Sequence, residues 1–480
     1  MNDTSAQCKL DAKPIRRPKL LTVENAKDLT TDEVQQYFEQ HMNPGQLHFL
    51  KILGFDRVLI ERAHGMYYET KEGTEILDFF GGFGSLAPGH NHPRILAARK
   101  KFQDENRHEI AMAFLSQYAT SLSHNLACIA PAELDIVFLT NCGSVANEAA
   151  LKLAETYQGK DRQKVAFASQ SFHGKTRAAL SVTDSDMYRA DFTLLQNNVC
   201  VPFGDTEALE KAFSSDKSIG IFILETIQGG AGIVVPPDGY IEAVRSICDK
   251  HNVVWIADEV QCGYGRTGRF FAFEHYGVAP DIITMAKSLG GGKTAMGAYI
   301  ARSSIHKKAY GDPKNALIHG PATFSGMGEG CVTAIEALNV LYDEGLIENA
   351  VEIGTYFIDR LRDLQEKYPS LIKEVRGKGL MIGVEFPDLS QALPVGLKQM
   401  VSLLDNKLKG SICGFVGSLL LRDYNILVAF TEYNRNVIRL EPPLIVSQTE
   451  VDKFIESFDD LLSRGITGIV RSFVGSKLRR

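Results

Sequence analysis

A membrane-crossing helix needs roughly 18 to 20 consecutive apolar residues, and this chain of 480 residues contains no such run. Nor does it carry the charge that nucleic acid demands. Its 58 acidic and 52 basic residues leave a net charge of −6, and an acidic balance disfavours a basic groove. The eight cysteines are scattered, with no CxxC pair and no histidine at metal-ligand spacing. That removes zinc-site and disulfide-ladder readings and leaves reduced thiols in a cytoplasmic protein as the simplest expectation, with no metal. Cys142 and Cys262 are expected to be small buried filler. The opening MNDTSAQCKLDAKPIRRPK lacks the apolar core of a secretory signal, and Ser476-Lys477-Leu478 is followed by two arginines, so it is not a terminal peroxisomal tag. No internal repeat or low-complexity run is present. What remains is the composition of a soluble globular enzyme, 44% hydrophobic and 23% charged, too long for one ordinary core.

The rest of the chain is organised around residues 253–292, VVWIADEVQCGYGRTGRFFAFEHYGVAPDIITMAKSLGGG. A short apolar strand, Val253 to Ala257, delivers Asp258 and Glu259 at its carboxyl end, and a second, Ile282 to Ala286, ends on Lys287. Ligands of open α/β sheets bind at such strand ends. A lysine closing a buried apolar run loses hydration, which favours its neutral amine and suits a nucleophile that forms a Schiff base with a carbonyl. A cofactor with an aldehyde and a pyridine ring needs that lysine and an acid opposite the ring nitrogen, which Asp258 can supply. Two plainer readings stand beside it. A DE pair after a strand also suits a magnesium-binding phosphate hydrolase, and a lysine after a strand is often a solvated end.

The wording separates these readings. The segment IADEVQCGYGRTGRFFAFEHYGVAPDIITMAKSLGGG resembles the pyridoxal phosphate segment of the class III aminotransferases, the group with ornithine, acetylornithine, γ-aminobutyrate and putrescine aminotransferases. The resemblance extends over about residues 45–465. It implies a fold-type I α/β protein, with pyridoxal 5'-phosphate as cofactor, and a mostly parallel sheet in a large domain beside a smaller α+β C-terminal domain. By that resemblance Lys287 is the cofactor-bonding lysine and proton shuttle, Asp258 faces the pyridine nitrogen, and Gln261 donates to the ring's phenolic oxygen.

Residues 1 to about 28 read as a polar, mobile arm. Thr30 with Glu33 fits a capping box for a helix ending near Asn43-Pro44-Gly45, which is a packing helix or a dimer arm. Residues 57–80 alternate as a small antiparallel sheet with a turn at Glu72-Gly73. The glycine-rich GGFGSLAPGHNHPRI, residues 81–95, lets backbone approach a ligand; the resemblance places it on the substrate side, with Phe83 as a pocket wall. From Glu133 strands and helices alternate, the mark of a parallel sheet with crossovers.

CGSVANEAALKLAETYQ reads as a turn opening a helix, whose free amides and dipole suit a phosphate, although an ordinary capped helix looks the same. The resemblance assigns the phosphate turn to Gly143 and Ser144, with Val145 departing from a frequent acid. In SFHGK an aromatic at a strand end can stack on a planar ring, or simply pack in the core. The resemblance assigns stacking to Phe172 and support to His173. Glu225 ends another buried strand, as a pocket acid or as partner of a buried arginine; the resemblance puts it near the cofactor's hydroxyl side. Gly230 stands where many relatives have a switchable glutamate that pairs with a late arginine.

HGPATFSGMGEGC, residues 319–331, resembles the turn that crosses a dimer interface to the neighbouring subunit's phosphate, with Thr323 as its hydroxyl and SGMG in place of the usual GGNP. It implies a homodimer with shared sites. Past Val332 two amphipathic helices precede the strands VRGKGLMIGVEF, ILVAF and NVIRLEPPLIV and a final helix from Gln448 to Leu462. The closing RSFVGSKLRR is expected to be a solvated tail. Arg439 in VIRLEPPL is either a paired structural residue or, by resemblance, the clamp for a substrate carboxylate, standing free or paired with Glu225. The expected organisation is an N-terminal arm, helix and sheet at 1–80, a cofactor domain at 81–340 and an α+β domain at 341–480.

The expected reaction is amino-group transfer between a terminal amine, or its aldehyde, and an amino or 2-oxo acid, because MNPGQLHFL, LDFFGGFG, SFHGK, GYGRTGR and IRLEPPL most resemble putrescine and ω-amine aminotransferases. Ornithine-, acetylornithine- or γ-aminobutyrate-type transfer, amination of a larger aldehyde or ketone, and racemase, aminomutase or decarboxylase chemistry are alternatives. So is a binding protein that kept the fold and lost turnover.

Overall fold

Strand Ile219–Glu225 is buried along its whole length, as a continuous apolar run must be when both faces of a sheet are covered. It sits near the middle of a seven-stranded sheet. The computed structural model describes residues 20–110, 114–131, 133–196, 198–316, 322–388, 412–431 and 433–478. Strands are numbered in chain order: β1 Ile60–His64, β2 Tyr67–Thr70, β3 Glu75–Asp78, β4 Leu134–Thr140, β5 Lys164–Ala168, β6 Val199–Val201, β7 Ile219–Glu225, β8 Val254–Asp258, β9 Ile282–Met285, β10 Gly297–Arg302, β11 Glu374–Lys378, β12 Met381–Glu385, β13 Ile426–Leu427, β14 Ala429–Phe430 and β15 Val437–Leu440.

The large sheet has the order β4-β10-β9-β8-β7-β5-β6. Strands β6, β5, β7, β8 and β9 are mutually parallel, whereas β10 runs antiparallel to both β9 and β4. The α/β, mostly parallel expectation therefore holds, with one reversed strand inside it. Helix Gly143–Gln158 lays Ala146, Ala150, Leu151, Leu153 and Ala154 inward, and Val165, Phe167, Ile221, Ile223, Val254 and Ile256 meet this stripe from the sheet. Each such side chain contributes about 1.5–3 kcal/mol on burial.

The chain forms two compact units, residues 1–59 and residues 60–480. In the first unit Thr30 and Glu33 form the expected reciprocal cap of helix Thr31–His41, and a second helix, Pro44–Leu53, follows with Pro44 in its first turn, where proline's missing N–H is harmless. Of the expected mobile arm, residues 1–19 lie outside the described residues; Val23–Asp28 is a short helix capped by Thr22, with none of its residues buried.

In the second unit β1, β2 and β3 form the expected antiparallel sheet. Its fourth strand is β13, parallel to β3. The ILVAF segment thus divides: Ile426–Leu427 joins this sheet, while Ala429–Phe430 joins the C-terminal sheet β11-β12-β15-β14. The closing segment departs from expectation. Residues 471–478 of it belong to helix Gly465–Leu478, where Ile469, Val470, Phe473 and Val474 are buried, an apolar stripe at helical spacing. Phe473 meets Phe415 with ring centroids 4.6 Å apart. The basic composition of the last residues concealed that stripe.

Candidate active site

Register brings the acids together. Glu225 pairs with Asp258 across β7 and β8, and Asp258 with Thr284 across β8 and β9, so the three strands deliver their ends at one level. Lys287 follows two residues past β9 with φ 48°, a left-handed backbone that a side-chain-bearing residue adopts only under constraint. A cavity of about 760 Å³ opens over these ends, and Gly143, Ser144, Phe172, His173, Glu225, Asp258, Gln261 and Lys287 all line it. Eight expected residues therefore converge on one hollow.

Asp258 is held from several sides. Its Oδ2 accepts Asn147 Nδ2 at 2.8 Å and is hydrogen-bonded to His173 Nδ1 at 2.7 Å, while Oδ1 accepts the Val260 amide at 3.0 Å. Asn147 is oriented in turn, since its Oδ1 accepts Thr284 Oγ1 at 2.6 Å and its amide also reaches the His173 carbonyl at 2.7 Å. His173 is thus more than a neighbour of the aromatic: it orients Asp258. Asn147 and Thr284 were missed in the sequence. The available signal was a polar residue on an otherwise alanine and leucine stripe, and a threonine inside an apolar strand.

Lys287 is half-buried, standing in the cavity wall. Burial pushes its amine down to about 8, and Arg439 adds to the effect, while Glu441, Asp258 and Glu225 oppose it. Glu225 moves the other way, raised to about 7 by burial. It accepts the amides of Phe172 at 2.9 Å and Gly229 at 3.0 Å.

Helix Gly143–Gln158 also begins at the cavity wall, close to Ala286. Its N-cap, Cys142, makes no side-chain capping bond, which leaves first-turn amides available to a ligand. A Cβ at Gly143 would stand 2.9 Å from Val260 Cγ1, so only glycine keeps this wall open. Ser144 Oγ accepts the Lys175 amide at 3.3 Å. Cys142 is exposed and lines the cavity, contrary to the buried-filler expectation, because capping a helix that opens on the hollow turns it outward; Cys262 is buried as expected.

Phe83 and Arg439 do not line this cavity, but they meet each other: the guanidinium lies 4.8 Å from the Phe83 ring centroid. Phe83 itself is 45% exposed. Arg439 is buried and spends its donors on backbone, with Nη2 on the Phe430 carbonyl at 2.8 Å and Nη1 on Gly229 O at 3.4 Å. Its acidic neighbour is Glu441, 3.8 Å away, and not Glu225, whose oxygens are taken by amides. Glu441 also accepts Gln261 Nε2 at 2.6 Å. It escaped notice because EPPL reads as the end of a strand. Thr323 stands in an exposed turn and does not line this chain's cavity; residues 319–321 of its motif lie outside the described residues.

The residues present fit pyridoxal phosphate. A buried, easily deprotonated amine, an acid fixed by Asn147 and His173, an aromatic wall and an uncapped helix start occur together around one hollow of adequate size. Among the described residues there is no cluster of metal-ligating side chains, and no helix is long and apolar enough to cross a membrane.

The model of the family "Aminotransferase class-III" matches residues 54–462. The aminotransferase PigE of a Serratia strain is 34% identical over 462 residues, covering 90% of this chain and 54% of the relative, so the chain spans about half of that relative's length. Among solved structures, the ornithine aminotransferase of Toxoplasma gondii is 28% identical with a TM-score of 0.77, covering 96% of this chain and all of that one. An (S)-enantioselective ω-transaminase from Thermomicrobium roseum is also 28% identical, with a TM-score of 0.79, covering 91% of this chain and 99% of that one.

Proposed function

This chain belongs to the class III aminotransferases; within that family, we propose that it is a pyridoxal phosphate-dependent transaminase that moves an amino group between a terminal amine, such as a diamine or ω-amino compound, and an amino or 2-oxo acid. The observation that carries the reading is the level delivery of Glu225, Asp258 and Thr284 beside a half-buried Lys287 in one cavity.

Bound pyridoxal phosphate supplies an electron-withdrawing ring that stabilises negative charge developing on the substrate carbon. The chain's own residues do the rest. Lys287 would hold the cofactor until an amine displaces it, and its Nζ, with its pKa lowered to about 8 by burial, would then carry the proton from the substrate carbon to the cofactor carbon. Asp258, held by His173 and Asn147, would face the ring nitrogen. Gln261 would donate at the ring's hydroxyl side with Glu225 near it, Phe172 would stack on the ring face, and the Gly143 and Ser144 amides would hold the phosphate. Arg439 with Phe83 receives the substrate's acid end, and Thr323 of each chain reaches the other's phosphate in a homodimer, so that an isolated monomer is inactive.

Donor and acceptor use the site in turn, which gives ping-pong kinetics. A second reading, an ornithine- or acetylornithine-type donor, draws support from the likeness to an ornithine aminotransferase. One titration separates them: the absorbance spectrum of the purified protein before and after putrescine, ornithine, γ-aminobutyrate and a long-chain primary amine. Bleaching of the visible-edge band by one terminal amine, and its return with a 2-oxo acid, is expected. A band that shifts with the amine without bleaching, with no amino group passed to an added 2-oxo acid, would point to a racemase, aminomutase or decarboxylase. A protein with no band even after soaking in pyridoxal phosphate would overturn the reading.

A further inference from the structure

Gln261 and Arg439 share one neighbour that the mechanism has not used. Glu441 is 0% exposed. Its Oε1 accepts Gln261 Nε2 at 2.6 Å. Its Oε2 has no hydrogen-bond partner among the described residues and lies 3.8 Å from Arg439 Nη1. The Glu441 amide is bonded to Phe79 O at 2.9 Å, so the carboxylate hangs from fixed backbone. Arg266, also buried, is a further positive neighbour: a Cβ on Gly84 would stand 3.1 Å from Glu441 Oε1 and 3.6 Å from Arg266 Nε, so the absent side chain there makes room for both.

The loop after β7, residues 226–236, carries no acid to take this place, and one at Gly230 would be crowded. A side chain at Gly230 would begin 3.2 Å from Phe172 Cβ and 3.4 Å from the Tyr433 ring, and Tyr433 is tied down by its hydroxyl, which donates to Ser171 O at 2.8 Å. A buried ionised carboxylate is stable only beside opposite charge and hydrogen-bond donors. The cations Arg439 and Arg266 and the Gln261 amide provide these, and Glu441 in turn is the strongest attraction felt by the Lys287 ammonium.

We propose that Glu441 is a positioning and specificity-determining residue: a fixed counter-ion that aims Gln261 at the cavity and competes with any carboxylate arriving at Arg439. A swinging acid could leave when an acid substrate binds, whereas Glu441, held by backbone and by Gln261, stays. Substrates with an uncharged tail then meet a neutral Arg439–Glu441 pair, and dicarboxylates meet an acid already in place. The inference rests on the proposed transaminase reading and on Arg439 as the acid-end residue.

The test uses the holoenzyme and the variant Glu441→Gln, whose amide oxygen still accepts from Gln261 while the charge is lost. The probe is glutarate, an unreactive dicarboxylate, followed by its perturbation of the cofactor absorbance and by calorimetry. Glutarate is expected to bind about tenfold tighter to Glu441→Gln, as removal of a charge near 4 Å from the cation predicts, and the KM for the oxo acid should fall relative to that for a neutral-tailed amine. Unchanged or weaker glutarate binding in a folded, cofactor-loaded variant would overturn the proposal. If that variant does not fold, the wild-type holoenzyme decides. It should prefer glutarate over glutarate monoamide by no more than about twofold, whereas a preference beyond about tenfold shows the Arg439 charge fully available and overturns the idea. A wild-type protein without a cofactor band would instead remove the transaminase reading itself.

Discussion

The imidazole of His173 and the carboxylate of Asp258 are 2.7 Å apart, and their side chains are 0% and 3% exposed. Each fixes the other, and Asn147 closes the arrangement from the neighbouring helix. Replacing Asp258 with asparagine should lower kcat/KM by at least about 100-fold, in line with loss of one preorganised electrostatic partner. Asn147→Ala, which leaves the acid but loosens it, should cost about 10- to 100-fold, as do groups that orient a ligand-holding residue. Steady-state kinetics with any competent donor would check both; an Asn147→Ala enzyme of full activity would contradict the orienting role.

Lys287 predicts a pH dependence in the cofactor-free protein. Its folded-state amine titrates near 8 and its unfolded one near 10.5. Between these values the unfolded chain binds more protons, so stability rises with pH across the window. Below about 8 the buried ammonium carries its full cost. The variant Lys287→Met should therefore be more stable than wild type at pH 7 by a few kcal/mol, with the gap closing towards pH 10.5. Urea unfolding of both apoproteins across that range would show it, and a gap independent of pH would refute it.

Gly143 has no room for a side chain, since even a Cβ would lie 2.9 Å from Val260 Cγ1. Gly143→Val should push the helix start away from the cavity and raise the dissociation constant for pyridoxal phosphate about tenfold or more, ~1.4 kcal/mol. Reconstitution of the apoprotein followed by absorbance measures this. Ser144→Ala should have a smaller effect of the same sign.

Arg439→Ala should raise the KM for a 2-oxo acid far more than that for a terminal amine, because only the acid has a charge to place. Since Arg439 also holds Phe430 O and Gly229 O, thermal unfolding should be recorded beside the kinetics. An equal rise in both constants would leave Arg439 a structural residue only.

Phe473 is fully buried although it lies in the basic closing segment. Phe473→Ala should destabilise the protein by about 3–5 kcal/mol, the usual range for emptying an aromatic core site, visible as a lower melting temperature. No change would mean that the last helix is dispensable for folding.

Much of this was legible before any coordinates. Local chemistry marked the strand ends: an apolar run that stops on Asp258, Glu225 or Lys287 announces a buried edge, and register alone then gathers them. Thr30 and Glu33 announced their cap for the same reason, because capping is a three-residue event. What stayed hidden depends on distant pairing. Nothing near Glu441 shows that Gln261, 180 residues earlier, will lean on it. Nothing in ILVAF shows that the strand changes sheets at Val428. The Phe83 and Arg439 contact likewise joins segments that sequence reading treats separately.

The reversal of β10 has a mechanical side. Because it runs antiparallel to β9, the chain returns from Lys287 directly along the cavity rim, where Gly292, Lys293, Thr294, Ala295 and Met296 form part of the wall, instead of departing through a helix across the sheet. The lysine and the wall that follows it belong to one short segment, anchored in β9 at one end and β10 at the other, so an insertion in that segment acts on both.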